Sequence, residues 1–313
     1  MKRLWVILLA FLCAVTPALF GAESKLTIDE LIANHLKAIG SPEALTAAKS
    51  RQIDGSAHFE VVVGGGGKLD GQAALVSDGA KMKMGVLFND PSYPGEVFTT
   101  DGDKVAAKSM RTGMRSLVGG FVYDHGQILR EGLLGGTLSS GWALLDVKGH
   151  KAKITYDGLK KIDDRELHQV TYRPKKNGGD ADIKLYFDSE FRHVMTVYRV
   201  TIEQRLGLQA SSNPAQPVGA SETASASQNQ TRYRLDETFS EFKDNNGLML
   251  PTKYVLRMTY EPGSTQPDPA AASQIGLTNE MATNRLSTII WKYDLALSNF
   301  TNAAVPEKVF AIH

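Results

Sequence analysis

Seven histidines, His35, His58, His125, His150, His168, His193 and His313, are the first candidates for acid–base or metal chemistry. No two stand in an H-E-x-x-H or H-x-H spacing that would bring two ring nitrogens to one ion. His58 and His168 fall in segments that alternate polar and apolar residues, where a ring facing water is the ordinary outcome. His35 flanks an apolar helical stripe, which suits a packed or hydrogen-bonded ring better than a base. A serine nucleophile on a strand-to-helix elbow needs Gly-x-Ser-x-Gly; Gly136-Thr137-Leu138-Ser139-Ser140-Gly141 lacks that spacing. Gly64 to Lys68 has the composition of a phosphate loop. Leu69, however, follows where Ser or Thr would bind magnesium, and both flanks read as strands, so a hairpin turn is expected. Asp163-Asp164 and Glu241 fit turns and strand surfaces. No catalytic residue, cofactor or metal site is predicted, and the chain is read as non-enzymatic. Because triads assemble from distant residues, a hydrolase gathering His58 or His168 with a serine and a carboxylate stays as an alternative.

The elements that would position such groups begin after an apolar N-terminus. Lys2 and Arg3 precede an apolar run from Leu4 to Val15, long enough for an export signal and short of the roughly 20 residues of a membrane span. Residues 1–22 are therefore expected to be a cleavable signal peptide, cut between Leu19 and Glu23, with the periplasm as destination. Cys13 follows Leu12, too large for a lipoprotein signal. The chain after that cut has no cysteine, hence no disulfide and no thiol chemistry. It carries 33 basic and 34 acidic residues, a balance that argues against nucleic acid as a partner.

Thr27-Ile28-Asp29-Glu30 reads as a capping box. Ile28, Leu31, Ile32, Leu36 and Ile39 share one helical face, Gly40 is expected to stop the helix in a left-handed conformation, and Ser41-Pro42 restarts one. From Arg51 the period changes to two: Ile53, Ala57, Phe59, Val61 and Val63 alternate with polar residues, as in an antiparallel sheet covered on one side. The same pattern returns through Met82 and Met84, in Arg165–Arg173, Ile183–Asp188 and His193–Gln204, and in Thr231–Lys243 and Leu250–Glu261, with a last strand from Arg285 to Ser298. Met114 to Leu145 is apolar and glycine-rich and predicts one or two helices. Gly207–Gln230 and Pro262–Thr283 read as flexible inserts. The sum is an α+β fold: one domain over 23–313, with ten to twelve mostly hairpin-linked antiparallel strands and helices at the start and middle.

Met82, Met84 and Met258, with Phe59 and Trp291, would ordinarily be sheet core. A long curved sheet has a concave face too large for its own side chains to fill, and flexible methionines suit a hollow that accommodates variable chains.

Several segments carry a family likeness. They are the helix ending Ala38-Ile39-Gly40 with Ser41-Pro42-Glu43-Ala44-Leu45, "KLYFDSEFRHVMTVY" (Lys184 to Tyr198), "NGLMLPTKYVLRM" (Asn246 to Met258) and "YDLALSNFTNAAVPEKVF" (Tyr293 to Phe310). Together they resemble exported bacterial proteins of the outer-membrane lipoprotein-sorting, LolA/LolB-like superfamily; Ser41 stands where those relatives often have a second glycine. The resemblance implies a strongly curved antiparallel half-barrel, with N-terminal and mid-chain helices over its concave side and a hydrophobic cavity between. It implies Met114–Leu145 as a lid, with Phe121, Leu133 and Trp142 against the sheet. The lipid-binding candidates are then Phe59, Val61, Met82, Met84, Phe121, Leu133, Trp142, Met258 and Trp291. The implied function is a periplasmic carrier, working without covalent catalysis. Its partners would be a lipid or an acylated lipoprotein and envelope membrane components, with the chain itself a monomer. The alternative is an envelope interaction module with a fully packed core.

Overall fold

A computed structural model describes residues 26–111, 115–175, 181–203, 230–262 and 288–312. Its strands are β1 (Ser50–Val63), β2 (Lys68–Asp78), β3 (Lys81–Phe88), β4 (Gly95–Thr100), β5 (Val105–Ser109), β6 (Lys153–Ile162), β7 (Arg165–Arg173), β8 (Asp182–Phe187), β9 (His193–Glu203), β10 (Gln230–Asn245), β11 (Leu248–Glu261) and β12 (Ile289–Thr301). All twelve lie in one open antiparallel sheet, in the order β5-β4-β3-β2-β1-β12-β11-β10-β9-β8-β7-β6. The expected signal peptide lies outside the described residues. So do Met114 and all but Gln230 and Pro262 of the two expected inserts; Gln230 opens β10.

Alternation decides which face is buried. On β3, Met82, Met84, Val86 and Phe88 are buried, and Met84 stands opposite Leu75 of β2 and Phe98 of β4, both also buried. Lys81, Lys83 and Leu87 take the other face. Hairpins set the register. Asn246 and Gly247 both have positive φ, 57° and 82°, the pair of left-handed residues that a two-residue turn between twisted strands needs.

The connection from β5 to β6 joins the two outer edges of the sheet, so it has to cross the sheet's whole width. It carries α3 (Leu117–Asp124), α4 (Gln127–Arg130), a 3-10 turn (Gly136–Leu138) and α5 (Val147–His150). This is a chain of short turns, shorter than the one or two helices expected. It packs on the buried face: Val118, Phe121, Ile128, Leu133, Leu138 and Trp142 belong to one core cluster with the inward residues of the strands. A Cβ placed on Gly135 would lie 3.2 Å from Met82 Cε and 3.3 Å from Leu75 Cδ1, while one on Gly136 would lie 3.0 Å from Phe239 Cζ of β10. Three strands stand between β2 and β10, roughly 19 Å in a flat sheet. Two consecutive residues touch both, so the sheet bends around the segment.

The N-terminal helix α1 (Ile28–Ile39) carries the expected capping box: Glu30 N–H donates to Thr27 Oγ1 and Thr27 N–H to Glu30 Oε2. Its buried residues are Leu31, His35 and Ile39. Helix α2 is Pro42–Ala47. Gly40 departs from expectation. Its φ is 166°, extended rather than left-handed, and it forms an isolated antiparallel bridge with Leu248. Glycine is needed there for closeness, because a Cβ would meet Gly247 O at 2.7 Å and Leu248 Cδ2 at 2.8 Å. Gly40→Ala is accordingly expected to destabilise the protein by about 1–3 kcal/mol, the usual range for overpacking. Urea denaturation measures this, and an unchanged midpoint would refute it.

Candidate functional site

The segment that crosses the sheet is bonded within itself through a run of short turns, and polar groups those turns leave over find partners in the face it covers. Glu237, on the inward face of β10 and fully buried, accepts from Gly135 N–H at 2.7 Å, Tyr198 OH at 2.6 Å and Tyr254 OH at 2.5 Å. Arg51 of β1, 3% exposed, donates from Nη1 to the carbonyls of Thr137 at 2.6 Å and Leu138 at 3.1 Å. Ser140 N–H donates to Ser77 Oγ of β2. Trp142 Nε1–H donates to His35 Nε2 at 2.9 Å, while His35 Nδ1 lies 2.8 Å from Phe191 O. That pairing makes Nε2 the acceptor and Nδ1 the proton carrier. Burial lowers the His35 pKa to about 4, keeping the ring neutral. His193 stacks on Trp142 with ring centroids 4.6 Å apart. Tyr172 OH donates to Glu131 at the end of α4. Glu96 of β4 accepts both Ser116 N–H and Oγ–H at 2.5 Å, at the start of α3.

These groups carry perturbed titrations with identifiable causes. Burial raises Glu237 to about 7, against the pull of its three hydrogen bonds. Burial lowers Arg51 to about 10. Glu96 is also raised by burial, with the Ser116 hydrogen bonds opposing. All three act as fasteners of the covering segment.

The nine predicted residues divide in two. Met82, Met84, Phe121, Leu133, Trp142 and Met258 are 3% exposed or less and pack against one another's neighbours in the core. Phe59, Val61 and Trp291 come together instead at one end of the covered face, where they line a hollow of about 190 Å³. Val61 pairs with Trp291 across β1 and β12. Phe59 meets Trp291 edge-on at 5.1 Å and Tyr93 at 5.1 Å, with buried Phe88 and Tyr293 behind it. Ser92, Ser109 and Ser116 complete the wall, and Arg111 and Arg115 stand at it too.

Tyr93, Arg111 and Arg115 were not among the expected site residues, since all three lie outside the regular elements. A signal for Tyr93 exists in Asp90-Pro91-Ser92-Tyr93-Pro94. Asp90 Oδ1 accepts Ser92 N–H and Tyr93 N–H, and a ring held between two prolines in such a turn is presented rigidly. Its hydroxyl meets that of Tyr293 at 2.7 Å.

A larger hollow, about 1010 Å³, opens on the opposite face of β1–β4 beside the C-terminal turn. Its floor is chiefly Gly55, Gly71, Ala74 and Gly85. Two polar pairs stand in it: Asn299 Nδ2–H donates to Asp54, and Lys83 Nζ–H to Val309 O. It is a broad trough without the ring walls of the smaller site.

The residues considered for catalysis do not converge. His58 pairs with Asp70 at 2.7 Å on the sheet surface. His168 bonds Tyr156 OH and stacks on Phe191, and neither histidine lines either hollow. Among the described residues no three His, Cys, Asp or Glu side chains are grouped as a metal site requires, and no described helix is long and apolar enough to cross a membrane.

No protein-family model matches the sequence, and no curated protein matches it. Among solved structures the chain is similar to a LolA superfamily protein from Nitrosomonas europaea, at 13% identity over 92% of this chain and 99% of that one, with a TM-score of 0.43. It is also similar to a putative outer membrane lipoprotein-sorting protein domain from Vibrio parahaemolyticus, at 10% identity over 90% and 94%, with a TM-score of 0.42. A DUF1329 family protein from Desulfovibrio piger matches at 8% identity over 92% and 98%, with a TM-score of 0.41.

The buried carboxylate gives a test with a definite sign. Glu237 titrates at 4.5 in its ordinary state and at about 7 when folded. The folded protein therefore holds that proton more tightly, so its contribution is greatest below pH 4.5 and falls as pH rises to 7. The size is on the order of 3 kcal/mol. Glu237→Gln is expected to flatten the stability difference between pH 5 and pH 8 in urea denaturation. Parallel pH profiles for the two proteins would refute this.

Proposed function

We propose that the chain is a non-enzymatic carrier of the periplasm, reached through the N-terminal export signal, and that it binds the acyl chain of a lipid or lipoprotein. In this reading the sheet is a half-barrel with helices over its concave side. The ligand occupies the open end of that covered face, not a hollow running its full length. The observation that carries the reading is the solvent-open, ring-walled hollow of Phe59, Val61, Tyr93 and Trp291. Each methylene buried there contributes about 0.8 kcal/mol, and no covalent step is needed. Ser116, the N-cap of α3, lines the same hollow, so lifting that helix would deepen the site towards the core.

A second reading, an envelope structural or interaction module with a packed core, is favoured by a separate observation. The covering segment is fastened by Glu237, Arg51, Ser77 and His35, which leaves the middle of the face filled by the protein's own side chains.

Fluorescence separates the two. Trp142 is 1% exposed and Trp291 is half-buried in the hollow. A bromine-labelled fatty acid is expected to quench the protein, and Trp291→Phe is expected to abolish most of that quenching. No quenching, with no lipid adduct in native mass spectrometry, would sink the carrier reading. Quenching that survives Trp291→Phe would move the ligand to another site.

A further inference from the structure

We infer that the hollow is built for a single-chain amphiphile with an oxyanion head, a carboxylate or a phosphate; this rests on the carrier reading above. Arg111 and Arg115 both stand at the hollow and both are exposed. Among the described residues the Arg111 side chain donates to the carbonyl of Pro91, from Nη1 at 3.3 Å. The Arg115 guanidinium lies 3.7 Å from the centre of the Tyr123 ring. A guanidinium held over a ring by its face keeps N–H donors at its edge to offer a ligand.

Neither arginine forms an ion pair with a carboxylate among the described residues, although the charge of Arg115 acts on the Glu96 carboxyl and lowers its titration. The acidic group on the adjoining strand, Glu96, is 1% exposed and turned inward, where it accepts both Ser116 donors. Charge at the opening is therefore positive and uncompensated by an ion pair, immediately above apolar rings. Guanidinium groups bind carboxylate and phosphate through paired N–H donors, while an uncharged glyceryl head would leave those donors unused.

Size points to one chain. About 190 Å³ is below the roughly 300–1,000 Å³ typical of sites that enclose a drug-sized ligand. It holds the part of a single chain next to its head, with the remainder passing over Val61 and Trp291 towards solvent or beneath α3.

The inference is tested by calorimetry on the full chain with three ligands of one chain length: oleate, oleoyl lysophosphatidic acid and oleyl alcohol, each below its aggregation concentration. Both anions are expected to bind at least about tenfold more tightly than the alcohol, the scale of a charge-assisted hydrogen bond. That preference should shrink as salt is raised. In the double variant Arg111→Gln with Arg115→Gln, the affinity ratio of anion to alcohol should fall towards one. The order of oleate and the lysophosphatidic acid tells carboxylate from phosphate. Equal affinity for oleate and the alcohol in the unaltered protein, or a ratio that survives in the double variant, overturns the anionic head and leaves the carrier reading standing. Failure of all three to bind overturns the carrier reading and the inference with it.

Discussion

One topological constraint governs the molecule: β5 and β6 are the opposite edges of a single twelve-stranded sheet, and the chain must travel from one to the other. That passage lies across a bent, apolar face. A polypeptide laid there brings backbone N–H and C=O groups out of water, and each unpartnered one is costly. Short internal turns pair many of them, and Glu237, Arg51 and Ser77 supply partners for Gly135, Thr137, Leu138 and Ser140 from three different strands. Their burial, and the displaced titration of Glu237, are the consequence of carrying an irregular segment through the core. The buried charge of Arg51, whose Nε has no partner among the described residues, belongs to the same cause.

The fastening also explains why the hollow sits where it does. Along the middle of the face, Leu133, Leu138 and Trp142 occupy the space that a curved sheet leaves empty. Filling stops near α3, where the segment turns in at Ser116: Glu96 accepts the N–H and hydroxyl of this N-cap residue, and Ser116 Oγ accepts Gly119 N–H of the helix. Beyond that point β1 and β12 continue past their cover, and Phe59, Val61 and Trp291 remain with open space before them. The apolar site is thus an end effect of how far the covering segment reaches.

Much of the sheet was legible in the residues because its determinants are local. The Arg165–Arg173 strand is found with those limits, since alternation and the Asp163-Asp164 turn both mark it. The capping box at Thr27 is equally local. The middle of the chain was not legible in the same way, because its short turns are shaped by His35, Arg51, Ser77 and Glu237, residues far away in sequence. Gly40 illustrates a finer limit. A glycine after a helix ordinarily signals a left-handed cap, whereas here its missing Cβ serves the approach of Leu248. Of the binding candidates, strand residues could be proposed from period alone. Tyr93, Arg111 and Arg115 sit where no period runs.

The adjacency of β1 and β12 bears on the order in which the structure can form. β1 to β5, β6 to β9, and β10 with β11 are hairpin-linked runs, each able to zip through neighbours close in sequence. Their union into one sheet depends on contacts between the first strand and the last, the kind of long closure that slows folding. Until β12 is in place there are two separate meanders with exposed inner edges, and the face that the covering segment needs does not exist. The core is therefore a late product of folding, assembled when the final strand joins the halves.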